Sequence, residues 1–348
     1  MRSASHKPNY GDALVSFSIV KQLKYDNIQY VMFGQEVSNK KERNALIRGS
    51  TYLHNDFDFE KANKTIDSID GQIAILGLGA QNPIQDIKFL DNNDGAKGFI
   101  SRLNEKSRSI SVRGDFTASV AQRLGGKNIR VTGCPSLFYD LKCPCISIPE
   151  MLKYPQRNIG ISLLTQMCSN IFCNSPVLGR ALHGKVIEYV LNNAANVFLF
   201  EQGVTIEYNI CDQTRKFEDR LADAEKIVKT ISAGFSAYDL LSRMVSVNSI
   251  EDWLDTTSKL DAMVGFRFHG NMIALLQGKP CYFFVYDSRI QEFCHLYSLP
   301  YQNVESKWKD PISSMLEHDW NETNLNINKC YNETIKFYDE NGFKINLT

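Results

Sequence analysis

In the segment LDAMVGFRFHGNMIALLQGKPCYFF, residues 260–284, an apolar strand-like run from Ala262 to Phe266 leads directly into Arg267 and His269, and then into a helical pattern with no polar opening turn. A guanidinium presents a planar fork of donors matched to phosphate or carboxylate. An imidazole can donate to an anion when protonated or exchange protons near neutral pH. The backbone at Phe268 and Gly270 lies in the first turn of the expected helix, where amide N–H groups favour negative charge. The structural alternative is an arginine bonded to strand-end carbonyls and a histidine capping the helix.

Other candidates have similar settings. In PNYGDALVSFSIVKQL, Asn9, Gly11 and Asp12 open an amphipathic helix. Asp12 is either its N-cap or a hydrogen-bond acceptor and base for a substrate hydroxyl. Gln81 follows the apolar strand of GLGAQ, whose glycines let backbone come close to a ligand or a neighbouring strand. Arg113 ends the strand of SVRGD, either as an anion ligand or paired with Asp115. Asp287 and Arg289 follow the strand of KPCYFFVY, as a second anion clamp or a surface pair. GCPS, residues 133–136, reads as a tight turn, and Cys134 has no basic partner nearby in sequence to activate it. His183, His295 and His318 lack a strand-end setting and are read as core or surface residues.

Several chemistries are excluded. GLGAQ lacks the third glycine of a dinucleotide fingerprint, and there is no GxSxG, Walker A, HExxH or acidic metal pair at a strand end. No metal site is expected, because the nine cysteines lack paired CxxC spacing; they read as structural thiols of a reducing compartment. Lys+Arg and Asp+Glu balance at 39 each, so no long-range field recruits nucleic acid. No apolar run approaches the roughly 18 residues of a membrane span, and the opening MRSASHK has no apolar core of a secretory signal. Cations at strand ends without a metal suit a small substrate with two anionic groups.

The elements that position these residues alternate between strand and helix, which predicts an α/β fold of parallel βαβ units. Strands are predicted at 28–33, 72–79, 109–114 and 129–135, then at 157–164 and 196–202, in MVSVNS, in DAMVGF and in KPCYFFVY. Helices are predicted between them. Pro144, Pro149 and Pro155 mark a linker. The expected organisation is an N-terminal Rossmann-like domain over 1–145, a second over 146–310, and a helical tail over 311–348. Two such domains bind ligands between them, beyond the carboxyl ends of their strands.

PNYGDALVS, GLGAQ, SVRGDFTASVAQRLGG…VTGCPSL and AMVGFRFHGNMIALLQGKPCYFFVYDSRIQEF occur here in the order seen in polysaccharide pyruvyl transferases. The chain resembles that family from residue 8 to about 305. The resemblance implies a glycosyltransferase-B-like fold of two Rossmann-like domains facing across a cleft. It implies transfer of the enolpyruvyl group of phosphoenolpyruvate to a sugar of a polysaccharide or its precursor, forming a pyruvate ketal and releasing phosphate. No cofactor beyond that donor is implied. Arg267 and the backbone of Phe268 and Gly270 would hold the donor, with His269 as donor ligand and general acid. Arg113 and Arg289 would be further clamps, and Asn9, Asp12 and Gln81 would face the acceptor, with Asp12 as base. The acceptor would be lipid-linked or nucleotide-activated, and a lipid-linked one would bring a cytoplasmic enzyme to the inner membrane face as a peripheral protein. In one departure, only MRSASHK precedes Pro8 where the family has an apolar strand, so that strand is either missing from this sequence or absent from the first sheet. A nucleotide-sugar glycosyltransferase, with Glu201 or Asp287 on a ribose, and a non-catalytic anion- or sugar-binding member are the competing readings.

Overall fold

The structure is a computed structural model that describes residues 9–36, 44–167, 170–231 and 234–348; MRSASHK and Cys168 lie outside the described residues. The chain divides into two compact units. One comprises Val15–Cys143, Asp287–Tyr297 and Leu325–Thr348, and is called the first unit below. The second comprises Pro144–Tyr286 and Ser298–Asn324 with the segment that ends at Leu14. The boundary between Leu14 and Val15 falls inside the opening helix α1, Tyr10–Gln22.

In the first unit, β1 (Ala45–Arg48), α2 (Phe59–Asp67), β2 (Ile73–Leu76), α3 (Asp94–Lys106), β3 (Ile110–Val112), α4 (Asp115–Arg123) and β4 (Ile129–Val131) alternate. β1 pairs with β2 and β3 with β4, all parallel. Leu78, just beyond β2, forms a parallel bridge to Val112. Gly77, directly after β2, sits at φ +76°, and a Cβ there would meet Pro135 Cδ at 2.7 Å. β2 is buried at every position, which is why it reads as an unbroken apolar run without alternation. α3 buries Ala96, Phe99, Ile100 and Leu103, one face of a 3.6-residue repeat, and is capped by Asn93 accepting from the amide of Ala96.

The strand expected over 28–33 does not form. Tyr30 and Met32 are 72% and 73% exposed, and the parallel partner of β2 is Ala45–Arg48 instead. A β-like composition makes a strand only where its apolar side chains find a face to cover. Two three-residue-per-turn helices follow, Pro135–Phe138 and Glu150–Lys153.

The second unit runs β5 (Asn158–Ser162), α5 (Pro176–Asn193), β6 (Asn196–Phe200), α6 (Thr205–Cys211), α7 (Phe217–Ile231), α8 (Ala237–Arg243), β7 (Met244–Val245), α9 (Ile250–Ser258), β8 (Ala262–Gly265), α10 (Phe268–Leu275) and β9 (Cys281–Val285). α11 (Ser288–Leu296) belongs to the first unit, and β10 (Tyr301–Asn303) and α12 (Pro311–Glu317) return to the second. Its sheet is wholly parallel, in the order β10-β9-β8-β5-β6-β7. The chain steps from β5 outward through β6 and β7, then restarts on the other side of β5 with β8, β9 and β10. This is the doubly wound order, and its reversal point lies between β5 and β8.

The helical tail expected from the sequence is α12 followed by α13 (Trp320–Glu340). From Leu325 onward α13 belongs to the first unit. There Arg130 of β4 pairs with Glu333 and Glu340, Tyr338 donates to Gln22 Oε1 at 2.9 Å, and Asn341 donates to Ser109 Oγ at 3.0 Å.

Candidate functional site

β5 ends in Ser162 and β8 in Gly265, side by side in the sheet. The reversal point therefore opens at Leu163 on one strand and at Phe266 and Arg267 on the other. Close approach is enforced by two glycines. A Cβ on Gly265, which sits at φ +158°, or on Gly270 would overlap Ser162. Ser162 Oγ donates to Asn271 Oδ1 at 2.8 Å and accepts from the amide of Arg267 at 3.3 Å, while Asn271 Nδ2 donates to the carbonyl of Tyr282 at 3.0 Å. The first turn of α10 is thus stitched to β5 and β9, which fixes where Arg267 leaves the backbone.

Arg267 is the N-cap residue of α10 and makes no side-chain cap bond. Its Nε donates to the carbonyl of Leu163. Its Nη2 stands 3.7 Å from Glu207 Oε2; the arginine side chain is 18% exposed and the carboxylate fully buried. Glu207 Oε1 accepts from the amide and hydroxyl of Thr165 at 2.8 and 2.7 Å. His183 of α5 is buried with its ring edge-on to Phe266 at 4.7 Å. Burial, and then the nearby Arg267 charge, hold its imidazole down to about 3, so it is neutral at physiological pH.

His269 is half-buried and packs edge-on to Phe268, itself a core side chain. The N-x-G-D loop lies against it: a Cβ on Gly11 would come within 2.9 Å of His269 Nδ1 and 2.7 Å of Gln202 Nε2. Only glycine allows that approach. Asn9, not Asp12, caps α1. Asn9 Oδ1 accepts from the amides of Gly11 and Asp12 at 3.1 and 3.4 Å, and its Nδ2 donates to Asp12 Oδ2 at 3.2 Å. Asp12 already sits in the first turn, with its side chain exposed. Tyr10, which follows Asn9, donates its hydroxyl to the carbonyl of Asn248. Glu201, at the carboxyl end of β6, accepts from the amide of Gly203 at 2.8 Å and the hydroxyl of Ser246 at 2.9 Å.

The remaining candidates lie in the first unit. Gln81 Nε2 donates to Asp287 Oδ2 at 2.8 Å, and Arg289 Nη2 is 3.4 Å from the same oxygen. Asp287 Oδ1 caps α11 through the amide of Ile290. Arg113 is 5% exposed; its Nε donates to the carbonyl of Gly77 and its Nη2 to that of Gly49, at 3.0 and 3.3 Å. No Arg113–Asp115 ion pair forms among the described residues, because those two carbonyls take the guanidinium inward. Beside Arg113, Glu292 of α11 is buried against the start of α4. It accepts from the amide of Thr117 at 2.5 Å and from its hydroxyl at 2.9 Å. Burial pushes its carboxyl up to about 7, against the Thr117 bonds and the Arg113 charge. Cys134 is buried, with Sγ 3.1 Å from Ser136 Oγ.

The structure therefore gathers Asn9, Asp12, Arg267, Phe268, His269 and Gly270 in one unit, and Gln81, Arg113 and Arg289 in the other. Sequence reading missed Glu207 and Glu292. Each is a lone acid in an ordinary helical pattern, and only the fold reveals that it is buried. No helix among the described residues is long and apolar enough to cross a membrane, and none of their His, Cys, Asp and Glu side chains cluster in a way that could hold a metal ion.

Compared with known proteins, residues 9–288 match the family model described as polysaccharide pyruvyl transferase. No curated protein matches the chain. Similar solved structures include S. aureus MnaA in a co-structure with UDP, at 11% identity and TM-score 0.40 over 85% of this chain and 67% of that one. Trehalose-6-phosphate synthase OtsA is 10% identical, with TM-score 0.41, over 82% of this chain and 74% of its own. WaaG, a glycosyltransferase involved in lipopolysaccharide biosynthesis, is 10% identical, with TM-score 0.34, over 83% and 81%.

Proposed function

The chain belongs to the polysaccharide pyruvyl transferase family, and from that premise we propose that it transfers the enolpyruvyl group of phosphoenolpyruvate to a sugar, forming a pyruvate ketal and releasing phosphate. The observation that carries this reading is Arg267 beside His269 at the reversal point of the doubly wound sheet, with the guanidinium hydrogen-bonded, among the described residues, through Nε to Leu163. Ligands of such sheets bind at that point.

Phosphoenolpyruvate offers a carboxylate and a phosphate on three carbons. Arg267 holds one anionic group through its remaining N–H groups. His269, as imidazolium, gives a proton to the methylene carbon, and the central carbon becomes oxocarbenium-like. A sugar hydroxyl attacks that carbon and its proton passes to Asp12. The bond from the central carbon to the phosphate oxygen then breaks and phosphate departs with the bonding pair. A second hydroxyl attacks the resulting oxocarbenium carbon and gives its proton to the now neutral His269, which closes the ketal and restores the imidazolium. The charge that develops on phosphate is met by Arg267, a group already in place before reaction. Asn9 orients the acceptor, a saccharide that is lipid-linked or nucleotide-activated. Arg113 and Arg289, bonded to backbone carbonyls and to Asp287, keep the loops of the first unit in shape.

Thermal unfolding with phosphoenolpyruvate, and separately with UDP, tests the donor. Ligand that binds only the folded protein adds about 2.7 kcal/mol at a hundredfold excess over Kd. Stabilisation by phosphoenolpyruvate that is lost in Arg267→Ala supports the reading. Stabilisation by UDP alone overturns it in favour of a nucleotide-sugar enzyme.

A further inference from the structure

We propose that Glu207 is the resident counterion of the anion site: it neutralises Arg267 while the site is empty and competes with an incoming anion for the guanidinium. This rests on the reading of Arg267 as the donor's anion ligand.

Three observations carry it. First, the separation of Arg267 Nη2 and Glu207 Oε2, 3.7 Å, is too long for a hydrogen bond, and both atoms are buried with no hydrogen-bond partner. A committed guanidinium–carboxylate pair closes to about 2.7–2.9 Å. The carboxylate therefore supplies charge to the guanidinium without accepting a hydrogen bond from it. Second, each partner is oriented by something else. Leu163 holds the guanidinium through Nε, and Thr165 holds Glu207 through two bonds to Oε1. Removing the charge of Glu207 thus leaves the geometry of Arg267 in place. Third, the surroundings are poorly screening. His183 is fully buried, with neither ring nitrogen hydrogen-bonded, so no second cation shares the site from that side.

Two consequences follow from this electrostatic arrangement. A buried arginine with no counterion is costly, so Glu207 stabilises the empty protein. Its negative charge also opposes any second anion on Arg267, so it caps the affinity for the donor and favours the departure of phosphate.

The experiment titrates inorganic phosphate against the full-length protein and its Glu207→Gln variant, an isostere whose amide oxygen can still accept from Thr165. Without ligand the variant melts at a lower temperature than wild type. Its phosphate Kd falls about tenfold, equivalent to about 1.4 kcal/mol. A Kd that is unchanged or raised, or a variant that shows no response to phosphate, overturns the proposal. Should Glu207→Gln fail to fold, Glu207→Asp keeps the charge but withdraws it by one methylene; a phosphate Kd below wild type supports the proposal and one at or above it overturns it. Failure of wild type to turn over phosphoenolpyruvate would remove the proposed reaction while leaving this phosphate comparison intact. The two readings therefore fail separately.

Discussion

Arg267 delivers its charge through a planar fork from a fixed backbone position, so its replacements separate charge from geometry. Arg267→Lys keeps a cation near Glu207 and should fold, yet a point charge does not reproduce the fork. Donor affinity should drop roughly tenfold or more, and in Arg267→Ala about a hundredfold, measured by calorimetric titration with phosphoenolpyruvate; equal Kd values would remove Arg267 from the site. His269→Gln addresses proton delivery instead. Loss of a general acid should lower kcat by about 10²–10⁴ while the donor KM changes only a few-fold. A rise in KM at constant kcat would reassign His269 to binding.

At the scale of elements, the site depends on how closely α10 approaches β5. Gly270→Ala places a methyl into Ser162 and must push the first turn of α10 outward. Overpacking of this kind costs about 1–3 kcal/mol, so urea unfolding should register a loss in that range and donor binding should weaken with it. The contact between α11 and α4 has a titration of its own. Burial raises the Glu292 carboxyl to about 7 from its ordinary value of 4.5. Between those values the folded protein holds a proton that the unfolded chain has released, so stability falls as pH rises through that window. The window is worth roughly 3 kcal/mol at about 1.36 kcal/mol per unit. Glu292→Gln should flatten the pH dependence of Tm between about 4.5 and 7, and should be the more stable protein at pH 8. A variant that retains the wild-type slope would place the titration elsewhere.

At the scale of the whole molecule, the end of the chain serves as a structural member of the first unit. Phe337, Tyr338 and Asn341 are fully buried, and Arg130, Ser109 and Gln22 all bond to α13 or the residue after it. Tolerance of truncation follows such bonding and burial, not position in the sequence. Protein ending at Asn324 should lose protection from protease over 45–143 while 158–285 stay resistant. Uniform resistance would mean that the first unit folds without α13.

What the sequence alone determined was set by local chemistry. Unbroken apolar runs marked β2, β8 and β9, because strands buried on both faces cannot alternate. Arginine and histidine directly after such a run marked the strand end to which the donor site is assigned under the proposed function, because charged groups there are not packing residues. The order of the motifs was sufficient to point to the family. What only the tertiary structure decided depended on partners distant in sequence. The run at 28–33 has strand composition but no face to cover, and Ala45–Arg48 took the place beside β2. Asn9 displaced Asp12 as the cap, a choice set by which side chain reaches the two amides. Arg113 and Arg267 look alike in sequence, yet one guanidinium turns inward to carbonyls of Gly49 and Gly77 while the other meets a buried carboxylate. Glu207 is 60 residues from Arg267 in sequence and carries no local sign of its burial. Its role arises because β5, β8 and α6 converge, and long-range convergence is what a linear pattern does not encode.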